Sequence, residues 1–229
     1  MSVSLKKKKL FDYPIIFDHK PVVQAILNHL PLISCLSLLR TYPINISSID
    51  LAAQRVREYL RLYAESERMD VFATLNDCSL TGGFLLSVLV DDPWWCVNEY
   101  VSDIDIVCSV NVAFRLRKEI NGMWFMDHTD YTGCECITNV CTQHLVDNRS
   151  FQIIAISCSV DEYIETFDLS VCMNYFTSDK LVIKDPVSIL KRVLVVKNPS
   201  IVPEKAFAFI TSERKQKERI EKYIRRGFK

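Results

Sequence analysis

Three aspartates and one pair of glycines hold most of the chemistry that this 229-residue sequence can offer. Ser102-Asp103-Ile104-Asp105-Ile106 alternates polar and apolar side chains, the pattern of a half-buried strand. Residues two apart on a strand share a face, so Asp103 and Asp105 point one way and Ile104 and Ile106 the other. Two carboxylates about 7 Å apart on one face repel unless a positive charge lies between them. A Mg2+ ion is the usual remedy, bound by one or two carboxylates and completed by water and substrate phosphates. The plainer alternative is an edge strand with a solvated polar face.

Two further elements make the cation reading more specific. Phe167-Asp168-Leu169-Ser170-Val171-Cys172-Met173 alternates as well, which predicts a strand over 167–176 with Asp168 at its start. Beside the first pair in a common sheet, Asp168 would complete the three carboxylates that two-metal phosphoryl transfer requires. By analogy, Asp168 orients or deprotonates the attacking group. Gly82 and Gly83 are two of only five glycines, and Thr81-Gly82-Gly83-Phe84 stands where a short strand hands over to a helix. Glycine there lets the backbone approach a ligand closely, and the free N–H groups of a helix start favour phosphate. Alone, such a pair is better read as a plain tight turn.

The elements that must position these residues follow from periodicity. Residues 1–20 form a basic leader around Lys6 to Lys9, and 21–70 an N-terminal helical region. Within it, Val22 to Arg40 suggests one or two short helices. Ile49 to Arg68 suggests a longer one, capped by Ser48 or Asp50. Strands are expected at 71–75, 79–81, 101–109, 134–145, 150–157 and 181–183, with 147–149 as a hairpin turn. Helices are expected at 84–90, 113–122, 160–165, 187–196 and 204–226. Asp91 to Tyr100 reads as an insertion. Residues 71–185 would form the core and 186–229 a C-terminal basic helical region, in a mixed α/β (α+β) fold with an antiparallel component.

The ordered series resembles the nucleotidyltransferase fold of the DNA polymerase β superfamily: Gly-Gly, a helix, Ser-Asp-Ile-Asp-Ile, then a later strand Asp. More narrowly, it is similar to nucleotidyltransferase-like domains of large DNA viruses and of ankyrin-repeat-bearing eukaryotic proteins. That narrower likeness rests on Gln152-Ile153-Ile154, Phe167-Asp168-Leu169 with Cys172, and Arg219-Ile220-x-Lys222-Tyr223-x-x-Arg226-Gly227-Phe228, and covers roughly residues 70–229. The resemblance implies an enzyme moving NMP from an NTP to an acceptor hydroxyl, with release of pyrophosphate. Mg2+ or Mn2+ would sit at Asp103, Asp105 and Asp168, the triphosphate at Gly82-Gly83, with Ser102 in support. Gly83 stands where the family more often has Ser, which removes one hydroxyl from the phosphate site. A second implication is open: a catalytically inactive relative using the fold to bind nucleic acid or protein.

Arg219, Lys222 and Arg226 are three and four residues apart, so a helix presents them on one face, where they could contact the triphosphate or an acceptor backbone. RNA is the favoured acceptor on this feature alone. A solvated helix balanced by Glu213, Glu218 and Glu221 is the competing view.

Composition narrows the rest. The 28 basic and 28 acidic residues cancel, so nothing steers the whole chain toward nucleic acid. Nine cysteines occur without a signal-peptide pattern, and several lie in apolar runs, which points to a reduced, cytoplasmic protein. No apolar stretch approaches the ~20 residues that span a bilayer. Cys134, Cys136, Cys141 and His144 match no closed zinc spacing. Trp94 and Trp95 could stack a base but more simply anchor a loop. Walker A and Rossmann fingerprints are absent.

Overall fold

A computed structural model describes residues 20–42, 44, 46–64, 77–92, 103–119, 125–126, 136–144, 150–197 and 213–229. The leader to residue 19, the strand expected at 71–75, most of the 91–100 insertion with Trp94 and Trp95, Ser102, Cys134, the 147–149 turn and residues 204–212 lie outside the described residues.

Helices α1 (Lys20–Asn28), α2 (Leu32–Thr41) and α3 (Ser48–Ala64) come first. The α3 cap is Ser47 rather than Ser48 or Asp50, because the Ser47 hydroxyl accepts from the Asp50 N–H at 3.2 Å. Strand β1 (Cys78–Thr81) runs directly into α4 (Gly82–Val90), then come β2 (Ile104–Ser109) and α5 (Val110–Glu119). Strands β3 (Phe125–Met126), β4 (Ile137–His144) and β5 (Ser150–Ile156) lead to α6 (Val160–Glu165). The chain closes with β6 (Asn174–Phe176), β7 (Leu181–Ile183), α7 (Pro186–Lys191) and α8 (Glu213–Arg225).

The strands form one seven-stranded mixed sheet in the order β3-β4-β5-β2-β1-β6-β7. Among the described residues only β2 and β5 pair in parallel, and the other ladders are antiparallel. The sheet's two faces differ. Leu80, Ile104, Ile106, Phe151 and Ile153 look into the main core with Phe84 to Leu86 of α4, Leu51 and Val56 of α3, and Tyr223 and Phe228 near the C-terminus. Val107, Val140 and Ile154 look the other way, under Tyr163 and Ile164 of α6. Helix α6 is held by a capping box, Ser159 with Glu162. Asp105 shares the face of Val107, at the end of the sheet that α6 leaves open.

Two expected elements are shorter. The run 167–176 is not one strand. Leu169 makes a single bridge to Val196, Ser170–Cys172 is a turn of 3-10 helix, and the strand begins only at Asn174. The polar residues of the alternation cause this. Ser170 Oγ donates to Asp185 Oδ2 at 2.8 Å, and Asn174 Nδ2 donates to the Val171 carbonyl at 2.6 Å. The helix expected at 187–196 stops at Lys191, since Arg192 takes a left-handed conformation with φ of 51° and the chain extends to reach Leu169. Among the described residues no disulfide forms, and no helix is long and apolar enough to cross a membrane.

Candidate metal centre

The open end of the sheet gathers Asp103, Asp105, Thr81, Gly82 and the cationic face of α8. Asp105 pairs with Thr81 across the antiparallel β1–β2 ladder, and Gly82 follows Thr81 as the first residue of α4. Gly82 has a φ of 73°, a region that costs a side-chain-bearing residue about 1–2 kcal/mol. A Cβ placed on Gly82 would fall on the Asp105 carboxylate. The glycine therefore serves twice: it permits the backbone turn and leaves the volume that Asp105 fills.

The carboxylates are electrostatically loaded. Burial, and then the Asp103 charge, push the Asp105 carboxyl up from its ordinary 3.8 to about 8, while Lys222 opposes both. Burial and the neighbouring Arg226 hold the Lys222 ammonium below its usual range, against the pull of Asp103 and Asp105. Ser150, first residue of β5, donates a hydrogen bond to Asp103 Oδ1. No motif pointed to Ser150. The signal available was that Ser150-Phe151-Gln152-Ile153 repeats the polar-apolar alternation of Asp103-Ile104-Asp105-Ile106 on the adjoining strand.

Asp168 stands differently. It is buried, and its Oδ2 lies 3.1 Å from Nη2 of the half-exposed Arg219. Burial pushes its carboxyl up and Arg219 pulls it down, with burial prevailing. Among the described residues no three His, Cys, Asp or Glu side chains gather as a metal-holding group. Asp103 and Asp105 stand two residues apart at the start of β2, and Asp168 pairs with Arg219 of the basic helix.

Helix α8 docks through a built C-terminal end. Gly227, with φ of 84°, ends it in a Schellman turn: the Phe228 N–H reaches the Tyr223 carbonyl at 3.1 Å and the two rings meet edge-on at 6.0 Å. Leu194 and Arg192 hydrogen-bond the Lys229 backbone, each at 2.8 Å. Arg226 is 3% exposed with its guanidinium 5.1 Å from the Tyr223 ring centre. Arg219 and Lys222 reach toward the carboxylates, whereas Arg226 packs the helix against the core. Gly83 is partly exposed in the first turn of α4.

The donor set fits a hard divalent cation. It offers two carboxylate oxygens on one face, only partly offset by one ammonium, and the buried Thr81 hydroxyl beside them finds no hydrogen-bond partner among the described residues.

No family model and no curated protein matches this chain. Solved structures do. The CCA-adding enzyme of Thermotoga maritima, complexed with tRNA, matches with a TM-score of 0.51 at 14% identity, over 76% of this chain and 42% of its own. An apo form of a CCA-adding enzyme gives 0.47 at 14% identity, over 76% and 44%. The chain thus spans less than half the length of these proteins. The likeness is one of fold: a mixed sheet flanked by helices, similar to that of the nucleotidyltransferase-fold CCA-adding enzymes.

Proposed function

We propose that this chain is a metal-dependent nucleotidyltransferase that moves a nucleoside monophosphate from an NTP to an acceptor hydroxyl, an RNA 3′ end. The observation that carries the reading is the seating of the Asp105 carboxylate over Gly82, beside Asp103, at the point where a helix begins. The fold likeness to a CCA-adding enzyme complexed with tRNA supports it. The unpartnered Thr81 hydroxyl supports it as well.

In this reading Asp103 and Asp105 hold Mg2+ or Mn2+, and Ser150 fixes the orientation of Asp103 by its hydrogen bond. The cation, when bound, supplies charge neutralisation for the triphosphate and acidifies the attacking hydroxyl. The N–H groups of Gly82 and Gly83 receive phosphate oxygens at the start of α4. Ser102, outside the described residues, is assigned to the nucleotide site on the resemblance alone. Lys222 and Arg219 present positive charge toward the triphosphate, and Arg226 keeps their helix docked. The acceptor hydroxyl gives its proton to water as its oxygen bonds to the α-phosphorus, the bond from that phosphorus to the oxygen bridging to the β-phosphate breaks, and pyrophosphate leaves. Asp168, retained from the resemblance, acts on the basic helix through Arg219. The likeness to viral and ankyrin-associated domains belongs to the same reading, on Phe167-Asp168-Leu169 and the C-terminal run.

The acceptor is tested with each of four α-32P-labelled NTPs, Mg2+ or Mn2+, total RNA and protein-rich lysate. Label is expected in RNA. Label in protein alone would overturn the RNA assignment, and no label in any fraction, with no cation-dependent NTP binding, would favour an inactive binding module.

A further inference from the structure

The register sets a row of polar side chains across the sheet at the level of Asp105. Thr142 of β4 lies opposite Gln152 of β5, Gln152 opposite Asp105 of β2, and Asp105 opposite Thr81 of β1. Residues opposed in register share a face, on strands about 4.8 Å apart. Gln152 therefore flanks Asp105 on the side away from Thr81. It is partly exposed between the buried Phe151 and Ile153, as Asp105 is between Ile104 and Ile106. Two residues earlier Ser150 bonds Asp103, so β5 repeats along its length the spacing of the two carboxylates.

Two independent observations bear on what this row holds. Thr81 is fully buried, its hydroxyl unpartnered among the described residues and set on the same face. Leaving such a group without a partner costs about 1–3 kcal/mol, which a ligand oxygen or a water bound to a cation removes. Asp168, the third carboxylate expected from the sequence, is instead paired with Arg219, and no three-ligand group forms among the described residues.

We propose, resting on the reading of this centre as a nucleotidyl-transfer site, that Gln152 supplies the third protein oxygen facing the divalent cation, while Asp168 anchors the basic helix through Arg219. A carboxamide carbonyl is a neutral hard-oxygen ligand, so the centre carries two negative charges rather than three. Fewer ligand charges mean weaker binding and faster exchange of the cation.

The test is Mn2+ binding to the full chain near pH 8, followed by the electron paramagnetic resonance of the free ion. Gln152→Glu is isosteric and adds a charge, so it should tighten binding about tenfold, and Gln152→Ala should weaken it several-fold. Asp168→Asn should leave the Kd within about twofold while raising amide exchange in 213–229. Metal-free Gln152→Glu should also melt below wild type, because a third carboxylate then adjoins Asp105, and Mn2+ should reverse the loss. Tenfold weakening by Asp168→Asn, with Gln152→Glu unchanged, would overturn the assignment and leave the centre standing. Absent Mn2+ binding, or binding that survives Asp103→Ala/Asp105→Ala, would remove the centre itself and the assignment with it.

Discussion

The Asp105 carboxylate occupies the volume that a side chain on Gly82 would need, and Gly82 turns with a φ of 73° to make that possible. This couples the glycine turn to the acidic strand: neither residue can change without the other noticing.

Gly82→Ala should therefore be destabilising by more than the about 1–2 kcal/mol of left-handed backbone, since the methyl also displaces Asp105. In an Asp105→Ala background the cost should fall to the backbone part alone. Gly83→Ala, whose φ is not positive, should be neutral or mildly stabilising for α4. Denaturant unfolding of the set measures this cycle; additivity between Gly82→Ala and Asp105→Ala would contradict the contact.

Asp105 also gives the metal-free protein a defined pH dependence. Its carboxyl is raised from 3.8 to about 8, so between those values the unfolded chain has lost a proton that the folded chain retains. Stability from this group is fully present below pH 4 and is lost as pH rises through 8. In chelator, the melting temperature should fall from pH 5 to pH 8.5, and Asp105→Asn should flatten that part of the profile. Cation binding should strengthen over the same interval and release protons.

Ser150→Ala removes a hydrogen bond to an ionised carboxylate, an interaction of about 1.5–3 kcal/mol in favourable settings. Its effect should fall mainly on Mn2+ affinity and turnover, with a smaller loss of stability, because Asp103 keeps its place on the chain but loses its orientation. Calorimetric Mn2+ titration beside thermal unfolding separates the two. Loss of stability alone would assign Ser150 a structural role.

Arg219→Ala leaves a buried Asp168 carboxylate without its cation, at a cost of about 1–3 kcal/mol. Pairing it with Asp168→Asn should recover most of that loss, as the buried group is then neutral. Amide exchange over 213–229 should rise in the single variant and recede in the double.

How far the sequence carries depends on the residue. The position of Asp105 on one face of β2 was legible because alternation fixes faces on a strand, and the turn at Gly82 because glycine permits its positive φ. Helix α6 and strand β7 stand at the residues their patterns predict. The single strand expected over 167–176 fails because alternation cannot weigh Ser170 and Asn174, whose side chains bind backbone and side-chain partners and break the ladder. Arg226 shares a helix face with Arg219 and Lys222, as spacing requires, yet spacing does not tell a ligand-facing end from a packed one; Tyr223 and Phe228 decide that. Ser150 meets Asp103 through the parallel register of β2 with β5, a tertiary fact that no local motif encodes.

Asp103 and Asp105 are proposed to form a centre for nucleotidyl transfer. Its most direct test compares wild type with Asp103→Asn/Asp105→Asn, both shown folded by circular dichroism, for cation-dependent incorporation of α-32P label from NTP with matching release of pyrophosphate. Incorporation in wild type that falls at least about 1,000-fold in the double variant is the predicted result. Equal incorporation by both folded proteins, or none by wild type with any NTP and either cation, would contradict it.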